Sequence, residues 1–290
     1  MKISTENYVL TDRYGPLQAI SMISDAGFEA FDASYYWLPD GSPLLAEGYL
    51  SLAERMRRKA DECGIVCNQA HAPFAIKYGE SFDEKNKNYR DIVRSIRAAG
   101  VLGAKVVVLH AIRIPKGIND TFHNYNLGFF GSLAPHAKKA GVKLGIENLF
   151  LRDEERRCIG GLLSSPEEIN AIIDALDDDV FCACVDVGHA SITDNDPADF
   201  IRKVGKKCLA LHIQDCDKID DRHMLPFTSK LNFASIREAL LDIGYEGDVT
   251  LEIFKYYKTF PNERLAIALK DACSAARTIR ESLKKTKVYV

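Results

Sequence analysis

The sequence has no apolar stretch approaching the roughly 20 residues of a membrane span, and no segment is expected to cross a bilayer. Its opening, Met1-Lys2-Ile3-Ser4-Thr5, lacks the apolar core of a secretory signal. No GxGxxG or GxxxxGKS/T stretch follows any apolar run, which removes support for a nucleotide-binding open sheet. The eight cysteines form no CxxC pair and show no regular spacing. They read as reduced thiols of a cytoplasmic protein, not as a disulfide framework. Nor does one sign of charge dominate: 38 Lys and Arg stand against 41 Asp and Glu, a formal charge of −3. No basic field advertises nucleic acid or an anionic membrane, although a local patch on an acidic body is compatible with nucleic acid. No low-complexity linker or boundary divides the chain, and one domain spanning 1–290 is expected. A hydrophobic content of 47% with 27% charged residues excludes wholesale disorder.

What the sequence does have is a series of short apolar runs closed by a carboxylate or a histidine. The closing residues are Asp32, His71, His110, Glu147, Asp186, His212 and Glu252. The runs lie at 65–67, 105–109, 142–146, 181–185, 208–211 and 249–251, and are rich in Val, Ile, Leu, Cys and Ala. Between them lie segments of helical periodicity at 17–26, 46–63, 86–104, 132–140, 166–176, 197–204, 233–243 and 265–283. Ser165-Pro166-Glu167-Glu168 and Asp196-Pro197 are helix starts, and Gly27, Gly64, Gly141, Gly205 and Gly244 follow helix ends. From His71 to His110 to Glu147 to Asp186 the steps are 39, 37 and 39 residues, one βα unit with its loop each time. About eight such units point to the α/β class and a single (β/α)8 TIM barrel whose strand ends share one site. The Lys284-Lys285-Thr286-Lys287 run reads as a solvated tail.

Five of the seven histidines, His71, His110, His189, His212 and His223, fall at or just past strand ends; His123 and His136 do not. The acids there are Glu147, Asp186, Glu252 and, beside His223, Asp221. A lone strand-end histidine is ordinarily structural. Nine ionisable groups converging on one barrel face would repel or stay desolvated without cations. Mixed imidazole and carboxylate ligands suit Zn2+, Mn2+, Co2+ or Fe2+ better than Ca2+ or an all-oxygen Mg2+ site. Asn148 next to Glu147 is suited to hold that carboxylate in place, and Gly188 between Asp186 and His189 is read as allowing a sharp turn.

The motifs HAPF (71–74), VVLHA (107–111), GIENL (145–149), VDVGHA (185–190), HIQD (212–215) with DRHMLPF (221–227), and LEIF (251–254) resemble the xylose-isomerase-like barrel superfamily. That group contains sugar isomerases, ketose 3-epimerases, sugar phosphate isomerase/epimerase proteins and endonuclease IV-type nucleases. The resemblance runs from Ile3 to about Leu283 and implies a metal-dependent sugar isomerase or epimerase. By it, Glu147, Asp186, His212 and Glu252 hold one divalent metal ion, expected to be Mn, Zn, Co or Mg. Glu147 and Glu252 flank the substrate carbon and move its proton, while the metal polarises the adjacent carbonyl and holds the enediolate. His189 contacts the sugar. Those epimerases carry a second Glu where Asp153 stands and a substrate Arg where Lys218 stands, so both are candidate substrate residues. Tyr36 and Trp37, with Tyr35, offer aromatic faces to a sugar ring or a base. The relatives' dimers and tetramers are the basis for expecting a homo-oligomer.

The resemblance also carries a rival. The nuclease members bind three zinc ions, and their extra ligands match His71, His110, His189, Asp221 and His223. Against a phosphodiesterase on abasic DNA stand Ala111-Ile112-Arg113, where those nucleases have a Pro-Gly turn, and the bulky Leu149-Phe150-Leu151-Arg152, where they have small residues. A keto-sugar lyase or hydratase would use the same metal. No Gly-rich turn after strand seven or eight marks a phosphate site, which favours a free sugar or glycoside.

Overall fold

The structure is a computed structural model that describes residues 1–74, 76–115, 122–177 and 179–284, with residues 122 and 123 described by their backbone alone. Of the expected tail, Lys285, Thr286 and Lys287 lie outside the described residues, while Lys284 ends the last helix.

Eight parallel strands form one sheet: β1 (Ile3–Glu6), β2 (Ala30–Ser34), β3 (Val66–His71), β4 (Val106–Leu109), β5 (Lys143–Glu147), β6 (Phe181–Asp186), β7 (Cys208–His212) and β8 (Val249–Leu251). From β1 to β6 each pairs with the next, and Ile3 on β1 pairs with Val249 on β8. Just past β7, Ile213 closes the ring: its N–H donates to Thr250 O (2.9 Å) and its carbonyl accepts from Glu252 N (3.1 Å). The result is the (β/α)8 TIM barrel read from the sequence, with its strand ends at one rim.

Strands buried on both faces select small and β-branched residues. Val106, Val108, Cys182, Cys184 and Ala210 form one buried cluster. Gly145 adds to it by omission, since a Cβ there would meet Val106 Cγ1 at 2.8 Å. Burial pushes the Cys182 and Cys184 thiols up to about 12, as expected of small fillers. All eight cysteines are free.

The outer layer follows the signals in the sequence. Ser165 and Glu168 form a reciprocal capping box with Pro166 at the first turn, and Asp196 caps the helix that begins at Pro197. Gly64 ends its helix in the left-handed region, at φ 70. Some elements go beyond the periodic pattern. The expected 132–140 helix is Phe122–Ala140, burying Phe129 and Phe130; Gly128 and Gly131 break its apolar stripe. Short helices at Tyr8–Tyr14, Val187–Ile192 and Phe254–Lys258 and a hairpin pairing Leu151–Arg152 with Cys158–Ile159 stand at the rim. No helix among the described residues is long and apolar enough to cross a membrane.

Candidate active site

Each strand delivers its last side chain to the same end of the barrel. Glu147, Asp186, His212 and Glu252 come from β5, β6, β7 and the residue after β8, and their ligand-type atoms lie within 4.8 Å of one another. Glu147 is the hub. Its Oε1 is 2.7 Å from His212 Nδ1, and its Oε2 is 2.8 Å from His110 Nε2 and 3.3 Å from His71 Nε2. Glu252 Oε2 lies 3.5 Å from His212 Nδ1. Further groups of this kind include His71, His110 and Glu147, and His189, Asp221 and His223.

The imidazoles are oriented from behind. A carbonyl oxygen only accepts, so an imidazole nitrogen beside one carries the proton. His71 Nδ1 thus donates to Ala72 O (2.8 Å), His189 Nδ1 to Asn148 O (2.9 Å) and His223 Nδ1 to Glu252 O (2.8 Å). Each turns Nε2 toward a carboxylate: His71 toward Glu147 at 3.3 Å, His189 toward Asp221 at 3.5 Å, and His223 toward Asp221 at 2.9 Å. This anchoring of one ring nitrogen on a backbone carbonyl is how histidines are held for metal ligation.

The electrostatics agree. Burial alone would raise the Glu147 carboxyl, but His212 and His110 hold it well below the usual range. For Glu252 burial prevails over His212 and His223, and the carboxyl is raised. Burial opposes charge on His189, yet Asp186 and Asp221 raise it well above the ordinary value. His110 is lowered by burial. Three carboxylates and one imidazole, all buried, present a negative donor set with mixed nitrogen and oxygen atoms. A divalent cation fits it, because buried carboxylates need a compensating charge.

Asn148 Nδ2 donates to Asp186 O (2.9 Å), and Asp186 N donates back to Asn148 Oδ1 (2.7 Å). Asn148 therefore fixes the Asp186 backbone, not the Glu147 carboxylate expected from adjacency. Gln214, absent from the expected set, donates to both Asp186 oxygens at 3.1 Å and to Asp221 Oδ1 at 3.2 Å. Gly188 is explained by Gln214: it sits in the helix Val187–Ile192 without a left-handed φ, and a Cβ would collide with the Gln214 side chain. Close approach, not the sharp turn expected, requires the glycine. Lys255 is also new to the site, its Nζ donating to the Asp221 carbonyl and lying 3.1 Å from Asp221 Oδ2.

Above this floor opens a cavity of about 1010 Å3. Tyr36, Trp37, His71, His110, His189, Asp221, His223 and Glu252 line it, as do Phe74, Phe150 and Phe254, which were not singled out from the sequence as site residues. Tyr36 is buried edge-on to His71 with ring centroids 4.9 Å apart, and Trp37 is 51% exposed at the mouth. Asp153 and Lys218 are not among the lining residues. Asp153 accepts from Arg157 Nε (2.7 Å) and Arg157 N (2.8 Å) at the hairpin turn, and Lys218 is exposed.

Known proteins share this architecture. An uncharacterized protein of Methanocaldococcus jannaschii is 28% identical over 217 residues, 68% of this chain and 71% of that protein. D-psicose 3-epimerase of Enterocloster bolteae is 30% identical over 122 residues, 42% of this chain and 37% of that protein. The crystal structure of D-psicose 3-epimerase from Clostridium cellulolyticum H10 superposes with a TM-score of 0.75 at 17% identity, covering 98% of this chain and 99% of that one, a likeness of fold. The family model described as xylose isomerase-like TIM barrel matches residues 20–284, and the chain belongs to that family.

Proposed function

We propose that this protein is a divalent-metal-dependent sugar isomerase or epimerase that moves a proton at a carbon beside a carbonyl. The observation that carries the reading is the pair Glu147 and Glu252, both buried, both beside His212, at the floor of an aromatic-walled cavity. Two carboxyls at one cavity floor are what taking a proton from a carbon and returning one to it require. Glu147, Asp186, His212 and Glu252 would hold the metal, which supplies Lewis-acid polarisation of the substrate carbonyl. One of the two carboxyls takes the carbon-bound proton, and the other gives one from the opposite side. The roles exchange in the reverse direction. Tyr36, Trp37 and Phe254 pack the sugar ring and keep water from the reacting carbon. His189, with Nδ1 fixed on Asn148 O, directs Nε2 to a sugar hydroxyl. The epimerase relatives support this substrate class.

The test is solvent exchange. Protein supplied with Mn2+, Co2+, Zn2+ or Mg2+ is incubated in D2O with ketoses, aldoses and keto-glycosides, and proton NMR follows loss of signal at the carbon beside the carbonyl. Exchange with product formation is expected. Its absence from every sugar, with nicking of abasic DNA, would overturn the reading.

One observation favours a second reading. His71 and His110 with Glu147, and His189 and His223 with Asp221, make two further groups of ligand type. Filled together they would form a polynuclear centre suited to phosphodiester cleavage. Metal stoichiometry separates the two readings.

A further inference from the structure

The cavity is larger than its floor requires. Credit each of the roughly 12 non-hydrogen atoms of a hexose with the full volume of a liquid water, about 30 Å3, and the sugar still takes only about 360 Å3. The cavity measures about 1010 Å3. The remainder has a different lining from the floor. Leu151 and Leu162, from the segment after β5, and Phe74 and Tyr78, from the segment after β3, are half-buried and apolar or aromatic. Apart from the Tyr78 hydroxyl, such a wall offers a free sugar's outer hydroxyls no partners. Three cations also line the cavity. Arg152 is committed to Asp220 at 2.6 Å. Lys77 and Arg113 are exposed and form no ion pair among the described residues.

We propose that the substrate is a sugar conjugate: the sugar sits on the floor, and an apolar aglycone bearing an acidic group fills the outer chamber beside Lys77 and Arg113. This rests on the sugar-acting reading above. Volume and apolar lining argue for the aglycone, and the two uncommitted cations argue for its acid.

Calorimetry on the Mn2+-supplied full chain tests it with methyl, phenyl and 4-carboxyphenyl β-D-glucopyranoside, the matching galactosides and xylosides, and free 4-hydroxybenzoate. In at least one sugar series, the phenyl glycoside is expected to bind about tenfold more tightly than the methyl one, about 1.4 kcal/mol. The carboxylate is expected to add roughly threefold at low salt, a gain lost at about 1 M salt, since exposed ion pairs are weak and screened. Leu162→Asp should erase the phenyl gain, and Lys77→Gln combined with Arg113→Gln only the carboxylate gain. Unchanged melting midpoints show that the variants fold. Equal binding of methyl and phenyl glycosides overturns the conjugate and leaves the sugar reading standing. A phenyl gain in the wild-type chain with no further gain from the carboxylate at low salt overturns the acidic group. Binding of 4-hydroxybenzoate that Leu162→Asp abolishes, with no glycoside bound, keeps the apolar seat and overturns the sugar reading. Binding of no probe overturns both.

Discussion

On one side of the barrel mouth, imidazoles converge on the Glu147 and Glu252 carboxyls, and Gln214 and the His189 N–H meet that of Asp186; on the other, Glu6 and Asp32 occupy β1 and β2 with few partners. Glu6 accepts only the Tyr8 N–H on Oε2, at 2.6 Å, and its buried Oε1 has no hydrogen-bond partner. Burial pushes its carboxyl up to about 8, so it is neutral at pH 7, whereas imidazoles keep Glu147 ionised. Asp32 accepts from Gln69 Nε2 at 2.8 Å and lies 3.4 Å from His212 Nε2. It ends a buried polar chain in which Ser4 donates to Asn68 (2.7 Å), Asn68 to Thr250 (2.9 Å) and Thr250 to Gln69 (3.2 Å). On the proposed reading, a strand-end carboxylate is suited to hold a cation only where imidazoles and other carboxylates converge on it. Elsewhere burial neutralises it, or it stands behind a candidate ligand.

The largest effect expected from breaking this division is at Glu252. Glu252→Gln should lower kcat by roughly 10²- to 10⁴-fold, the range for a lost general acid or base, read by the rate of deuterium incorporation. A drop below tenfold would remove Glu252 from the proton path.

Glu6→Gln tests the other side through stability. A folded-state pKa of about 8 against 4.5 means that the folded chain binds more protons than the unfolded chain between those values. Stability is therefore lost as pH rises through that window, and the penalty is complete above it. The glutamine variant should escape the decline and gain roughly 2–5 kcal/mol on wild type at pH 9 relative to pH 4. Urea unfolding with chelator present measures this, and parallel pH curves would contradict it.

Asp32→Asn should weaken metal binding by about tenfold, the lower range for residues behind a ligand, with folding retained. Competition against a fluorescent chelator reads the affinity. An unchanged affinity would show that the 3.4 Å approach to His212 does no orienting. The smallest effect is expected at Asp153→Ala and Lys218→Ala, which lie off the cavity lining and should change kcat/KM by less than about twofold. A larger loss would mean that the hairpin carrying Asp153, or the segment around Lys218, folds over the substrate.

The same division explains what was legible in the sequence. Glu147, Asp186 and His212 close apolar runs, so both the barrel and its metal-type groups could be read in order. β1 escaped because Ser4 and Thr5 are polar yet buried, satisfied by Asn68 and by the Tyr257 hydroxyl at 2.9 Å. On β3 the apolar stretch stops at Cys67 although His71 reads as its closing residue, because Asn68 and Gln69 look like loop until their partners on β1, β2 and β8 are known. Gln214 left one trace, an amide two residues past His212, but Asp186 and Asp221 reach it only through the fold. The aromatic walls stood within the quoted motifs at Phe74 and Phe254, and nothing in their spacing tells cavity lining from core.

Metal content tests the central claim most directly. Protein purified without chelator, with Glu147→Gln prepared in parallel, is dialysed and analysed by elemental mass spectrometry. The account predicts about one divalent ion per wild-type chain, lost or much weakened in the variant. No ion in either protein, or equal retention in both, would contradict a centre organised on Glu147, and two or three zinc ions per wild-type chain would move the phosphodiesterase reading to first place.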